Sequence, residues 1–228
     1  MIGSETEAGQ SAPFPPHIMA ALVRDARAAH IPRGGVLFSI GHPFVACFLL
    51  LKGAVKLSMS GSQGQERTVA LQGPGALVGA LGLLDGRSHS TTAVALSDCY
   101  VLSIRASAFA DLRKRHPEME RQIVVLLARK LREATDTAAW AGLLNARQRI
   151  ANALLQFAKL MGRDAGEGLT LLDGVTHHEV AALAYVSREE VTRVIASWRR
   201  AGAAEAVTRP GLVVDLSLLV SEAADGAA

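Results

Sequence analysis

The spacing of apolar positions divides the chain into two textures. Across residues 31–105, VLFSIG, CFLLLKGAVKLSM, ERTVALQ, TTAVAL and CYVLSI are short apolar runs separated by Gly, Pro, Ser and Asp. Short runs bounded by turn formers predict β-strands, and many of them in succession predict a small β-barrel or double-sheet jelly roll. SGSQGQ, residues 60–65, reads as a hairpin tip. Ahead of the strands, residues 17–30 have the Ala, Leu and Arg content of a short helix, preceded by a flexible Pro-rich lead-in over residues 1–16.

From residue 105 onward the period lengthens. Residues 105–109 predict a short helix, and Pro117 opens the longest helical segment, which runs to about residue 145. Proline suits a first helical turn, because the N–H it lacks would have no partner there. Along this segment Ile123, Leu127, Leu131, Ala134, Ala138 and Ala141 recur at intervals of four, four, three, four and three. That narrow seam predicts pairing with a second helix, most simply in a two-fold homodimer. Packing on the chain's own barrel would instead claim Leu126 and Val125. NARQRIANALLQFAKLM is a further amphipathic helix, followed by a Gly- and Asp-rich loop over 161–168 and the strand LTLLDG. AVTRPGLVVDL reads as two strands around a Pro-Gly turn, a β-wing, and SEAADGAA reads as a disordered tail.

Between strand and wing lies THHEVAALAYVSREEVTRVIASWRR, residues 176–200. Thr176 with Glu179, and Ser187 with Glu190, each place a hydroxyl three residues ahead of a Glu. This is the capping-box spacing, in which side chain and backbone satisfy each other at a helix start. In the second helix Val191, Val194, Ile195 and Trp198 share one face, while Arg188, Glu189, Thr192, Arg193 and Arg200 fall opposite. Arg pairs in a bidentate way with guanine and Glu accepts from cytosine N4, so the polar face has the chemistry to read bases in a major groove. An ordinary solvated amphipathic helix also carries such a face.

Composition narrows the picture. The chain has 228 residues, half of them hydrophobic, and no uncharged apolar run long enough to cross a bilayer. The first twenty residues lack the pattern of a secretory signal, so a soluble, cytoplasmic protein is expected. The net charge is +3, yet residues 146–228 hold nine Arg and Lys against ten Asp and Glu, a net of −1. DNA binding would therefore depend on local placement of Arg188, Arg193, Arg199, Arg200 and Arg209 rather than on bulk charge. Cys47 and Cys99 lie in apolar runs without metal-ligand spacing and are expected to be buried strand residues.

This order of elements resembles the bacterial cyclic-AMP receptor and fumarate-nitrate regulator (CRP/FNR) family, over residues 31–219. SREEVTR at 187–193 is similar to the family's base-reading motif, LLLKGAVKL at 49–57 to a barrel strand with its turn glycine, and QGPGALVGALGLLDG at 72–86 to the segment forming its ligand pocket. The resemblance implies an α+β chain: a jelly-roll sensor domain over 17–112, a dimerisation helix over 113–145, a winged helix-turn-helix over 146–220, and the tail over 221–228. It implies a near-palindromic double-stranded operator, RNA polymerase as a further partner, and no enzymatic activity. Arg188, Glu189 and Arg193 would read bases, while Thr176, Ser187, Thr192, Arg200 and Arg209 would contact or position phosphates.

The pocket departs from the family pattern. Members that bind cyclic nucleotides have Gly-Glu-Leu, whose Glu holds the ribose, and later Arg-Ser or Arg-Thr, whose Arg neutralises the phosphate. Here the first motif is Gly79-Ala80-Leu81 and the second falls on His89-Ser90. Ala80 offers no acceptor and a neutral His does not replace a guanidinium fork. Arg87 is a conceivable substitute. The helix position that offers a hydroxyl to the purine falls on Ala134, with Thr135 beside it. These replacements argue against cyclic AMP in the usual pose, leaving the cofactor unknown: another effector, or none. Two cysteines do not make the family's four-cysteine cluster, and no metal site is assigned, although His89 leaves a metal or haem ligand open. The alternatives are a cyclic-nucleotide-responsive regulator with an altered pocket, a metal-dependent cupin-like enzyme using His42 and His89, and an adaptor that docks proteins. Tyr185 stands at the helix-helix turn where the family often has Gly, and a different turn geometry is expected there.

Overall fold

The computed structural model describes residues 14–61, 65–200, 204–206 and 211–224. They group into two compact units, one within residues 1–57 and 72–131, the other within 58–71 and 132–228. Arg209 and Pro210 of the expected wing turn lie outside the described residues, as do residues 62–64 of the expected hairpin tip, 1–13 of the lead-in and 225–228 of the tail.

In chain order, α1 (Pro16–Arg24) is followed by β1 (Arg27–Ile31), β2 (Val36–Phe38), β3 (Ala46–Lys52), β4 (Val55–Ser60), β5 (Glu66–Gln72), β6 (Leu77–Val78), the short α2 (Leu81–Asp85), β7 (Thr92–Ala95), β8 (Cys99–Arg105) and α3 (Ala106–Arg115). The strands form two four-stranded sheets, ordered β1-β8-β3-β6 and β2-β7-β4-β5. Leu50 and Val101 from one sheet and Val55, Ala93 and Ala95 from the other belong to one buried apolar cluster. The two-layer β-domain is therefore as expected.

Its entrance is not. The helix expected over 17–30 stops at Arg24, and Arg27–Ile31 pairs antiparallel with β8, from Arg27 opposite Ser103 to Ile31 opposite Cys99. RAAHI has the Ala content of a helix, but Ala29 and Ile31 alternate toward the core, and pairing outweighs that weak propensity. The lead-in also ends earlier than expected. Phe14 is buried in a second cluster with Ile18, Leu22, Phe109, Leu112, Met119 and Ile123, and Pro16 is already helical.

The long helix α4 is Met119–Leu143. Beyond it lie α5 (Ala146–Met161), β9 (Arg163–Gly166), β10 (Leu169–Asp173), α6 (His177–Ala184), α7 (Arg188–Arg200), β11 (Ala204–Ala206), β12 (Gly211–Asp215) and α8 (Leu216–Ala224). The sheet order is β11-β12-β10-β9, all antiparallel. Two expectations are corrected. The loop expected over 161–168 contains β9, whose RDAG side chains are all exposed and so leave no apolar signature. Residues 221–224, expected to be disordered, form the last turn of α8. Asp215 starts that helix by accepting from the Ser217 and Leu218 backbone N–H groups, and Leu219 anchors it in the core.

Candidate nucleic-acid interface and sensor pocket

The helix pair is built as its sequence pattern predicts, except at the start of α7 and in the turn before it. At the start of α6 the capping box is complete: Thr176 Oγ1 accepts from Glu179 N and Thr176 N donates to Glu179 Oε2 at 2.8 Å. At the start of α7, Ser187 Oγ accepts from Glu190 N at 3.1 Å, but the Glu190 carboxylate turns toward Arg193 in an i,i+3 ion pair. Tyr185 closes α6 in the left-handed region, φ 56° and ψ 43°. The expectation of another turn geometry is therefore corrected: the left-handed turn is kept, and a non-glycine residue carries its strain.

Arg149 supports that turn, although nothing in its sequence position singles it out. From α5 its Nε donates to the Ala184 carbonyl, the residue before Tyr185, at 3.0 Å. Its Nη1 donates to the carbonyls of Leu144 (3.0 Å) and Ala141 (3.3 Å) at the end of α4. One guanidinium thus satisfies C-terminal carbonyls of two helices. Arg147 plays a second unforeseen role: it forms an ion pair with Glu222 of α8, donates to Ser197 Oγ at 2.9 Å and lies 5.2 Å from the centre of the Trp198 ring.

With that frame fixed, α7 buries Val191, Val194, Ile195 and Trp198 and exposes Arg188, Glu189, Thr192, Arg193, Arg199 and Arg200. Among the exposed groups, Thr192 Oγ1 is engaged. It meets His177 Nδ1 at 2.9 Å and donates to the Arg188 carbonyl at 3.0 Å. Burial, with Arg199 and Arg188 nearby, holds His177 below the usual histidine range, which favours the neutral ring in this bridge to α7. Arg200 Nε donates to the Ala196 carbonyl of its own helix at 3.4 Å.

In the β-domain one of the expected pocket residues, His89, stands in an aromatic stack. The His89 ring lies flat on Phe38, centroids 3.8 Å apart with a 10° tilt, and Phe44 meets it edge-on at 5.5 Å. His89 is 8% exposed, and its backbone holds residues 41–42 through the pairs Gly41 N to His89 O and His89 N to His42 O. Burial, with His42 nearby, lowers its pKa, so it offers no fixed positive charge to a phosphate. Gly79, at φ +81°, backs directly onto the stack: a side-chain carbon there would stand 2.9 Å from Phe38 Cε1 and 3.3 Å from His89 Cε1. Ala80 is buried, Leu81 and Ser90 are exposed, and Arg87 is exposed with its N–H on Asp85. Neither His42 nor His89 belongs to a cluster of three metal-ligating side chains among the described residues.

Residues 28–116 match the cyclic nucleotide-binding domain family and residues 148–221 the Crp-like helix-turn-helix domain family. The Cyclic AMP receptor protein of Thermus thermophilus is 39% identical over 200 residues, spanning 86% of this chain and 88% of that protein. The chain belongs to the CRP/FNR family. The CRP-like cAMP-activated global transcriptional regulator of Mycobacterium tuberculosis is 27% identical over 187 residues, 82% of this chain and 84% of that one. The fold is that of the c-di-GMP responsive global regulator CLP of Xanthomonas campestris, with a TM-score of 0.76 at 20% identity over 88% of this chain and 98% of that one. This CRP/FNR protein is thus a transcription regulator with a β-rich cyclic-nucleotide-binding-type domain, a long helix and a helix-turn-helix DNA-binding domain. Among the described residues, no helix is long and apolar enough to cross a membrane.

The family's long helix divides its faces differently from the expected seam. Ile123 is 5% exposed and Leu127 packs beside it, both in the apolar cluster of the chain's own β-domain. Both therefore face the chain's own β-domain rather than a second helix; of Leu126 and Val125, the pair that packing on the barrel would claim, Leu126 is buried and Val125 is exposed. Leu131 is 69% exposed, and Ala134, Thr135, Ala138 and Ala141 are exposed with it. An inward stripe and an outward repeat overlap in the first turns of the helix, so spacing alone does not separate them. Cys47 and Cys99 are buried free thiols in β3 and β8, and burial pushes Cys47 up to about 12.

Proposed function

We propose that the protein is a homodimeric, sequence-specific regulator of transcription that reads a near-palindromic operator with α7 and does not hold cyclic AMP in the usual pose. The observation that carries the DNA reading is α7 itself: an apolar face locked into the core, with Arg188, Glu189 and Arg193 presented together on the opposite side. Arg188 and Arg193 favour guanine and Glu189 cytosine. Arg193 reaches a base by leaving Glu190 or sharing it. Thr192 acts as a brace between His177 and Arg188, while Thr176, Ser187, Arg200 and Arg209 serve the phosphates, the first two chiefly as caps that leave backbone N–H groups at helix starts. The exposed face of α4 that repeats at four and three residues, Val124, Ala128, Leu131, Thr135, Ala138 and Gly142, supports pairing with a second copy. Two α7 helices then enter successive major grooves one helical turn apart. The protein acts in the cytoplasm and works on RNA polymerase.

The stacked, neutral His89 and the buried Ala80 support the effector reading, since neither carries the charge that a cyclic phosphate or a ribose needs. An effector shifts activity only by binding one arrangement of the dimer more tightly than another. The relatives' names favour a second reading, a cyclic-nucleotide response through an altered pocket. On the operator, Arg188→Ala is expected to lose about 1–3 kcal/mol of discrimination at one base position, and unchanged preference removes the base-reading assignment. Calorimetric titration with cyclic AMP is expected to give no saturable binding. A one-per-chain isotherm that sharpens operator binding establishes the second reading instead.

A further inference from the structure

A second chemically competent cluster lies in the first unit, where nothing in the DNA-binding reading uses it. His17 is the second residue of α1, His116 follows the last residue of α3, and Glu118 precedes α4. Their ligand atoms all lie within 4.8 Å of one another. His17 Nε2 is 3.3 Å and His116 Nδ1 3.1 Å from the same oxygen, Glu118 Oε1.

The backbone beneath these side chains is anchored. Ile18, Leu112 and Met119, each 0–1% exposed, hold α1, the end of α3 and the start of α4 in one apolar cluster. Phe14 and Phe109 add a ring contact at 6.1 Å between the same two regions. The Met119 N–H donates to the His116 carbonyl at 3.0 Å, closing the corner that sets His116 beside Glu118. Three residues from two parts of the sequence about one hundred positions apart are thus brought together by packing that does not depend on their own contacts.

We propose that His17, His116 and Glu118 bind a divalent transition-metal ion of the zinc class. Two imidazoles and one carboxylate are a ligand set that zinc accepts in sites with an open fourth position. At metal–ligand distances of about 2.0–2.2 Å, ligand atoms around a tetrahedral ion stand about 3.3–3.6 Å apart. The two edges to Glu118 Oε1 already come close to that length, and the His17–His116 edge closes by side-chain rotation. The His17 and Glu118 side chains are 59% and 52% exposed, so an ion reaches them from solvent and water completes the shell. Binding ties α1 to the corner from which the long helix starts.

The test uses the full-length protein stripped of metal with a chelator. Zinc is titrated in competition with a chromogenic chelator, and cobalt is added separately to read ligand-field absorption. The expected result is one ion per chain with a tetrahedral or five-coordinate cobalt spectrum, and affinity weakened by about tenfold or more in both His17→Ala and Glu118→Gln. Far-UV circular dichroism checks that the variants are folded, and His178→Ala serves as a control that leaves uptake unchanged. Uptake that persists in His17→Ala and Glu118→Gln, uptake lost only in His178→Ala, or no uptake by the wild type each overturns the assignment. None of these outcomes bears on operator binding, which is measured separately.

Discussion

Replacing Arg149 by Ala tests how the recognition helix is held. The guanidinium makes two 3.0 Å hydrogen bonds, to the Ala184 and Leu144 carbonyls, and a longer one to Ala141. A hydrogen bond from a charged donor contributes about 1.5–3 kcal/mol net. Arg149 is half-buried, so water takes over part of what is lost. Counting the two short bonds at a discount and neglecting the third gives a loss of about 2–4 kcal/mol. Both tryptophans, Trp140 and Trp198, lie in the second unit, so fluorescence during urea unfolding reports on that unit alone. With a slope of about 2 kcal/mol per molar urea, the midpoint should drop by about 1–2 M. Arg149→Lys keeps the charge but has a single nitrogen and should recover less than half of the difference. A midpoint within about 0.2 M of wild type for Arg149→Ala refutes the bridging role.

Other consequences follow from the same geometry. Gly79→Ala should destabilise the β-domain by about 1–3 kcal/mol, since it combines a left-handed backbone with contact against the Phe38–His89 stack; an unchanged thermal midpoint contradicts that packing. Glu222 is held below its ordinary value of 4.5 first by its hydrogen bond to Arg147. A carboxylate with a depressed folded pKa stabilises fully above its unfolded value and loses that contribution as pH falls through the folded one. The stability gap between wild type and Glu222→Gln should therefore be present at pH 7 and shrink below about pH 4.5 in urea titrations; a gap that grows in acid has the wrong sign. Cys47, buried and pushed up to about 12, should resist iodoacetamide at about pH 8 until the protein is unfolded, and rapid labelling of the native protein contradicts its placement.

The recognition helix was legible because its information is local: a hydroxyl cap, an apolar face at helical spacing and charges opposite. The β-domain was legible because turn formers punctuate its strands. What escaped depended on partners distant in sequence. RAAHI reads as helix until β8 is beside it, and Ser221–Ala224 reads as a loose tail until Arg147 and the core receive α8. The aromatic stack joins Phe38, Phe44 and His89 from separate loops and strands, so Gly79-Ala80-Leu81 showed only which charges were missing, not what stands beside them. Arg149 looks like any helix arginine, because backbone carbonyl acceptors have no sequence signature. The long helix erred for another reason: its inward and outward stripes share the same period, and only burial separates Ile123 and Leu127 from Leu131.

We propose that α7 reads DNA as part of a two-fold pair. Selection of genomic fragments by the purified full-length protein, at stated salt and without added nucleotide, tests it most directly. The expected result is enrichment of a near-palindromic sequence whose half-sites lie one helical turn apart, lost when Arg188 and Arg193 are both replaced by Ala. Recovery of fragments with no common sequence, or of the same sequence by the double variant, contradicts it.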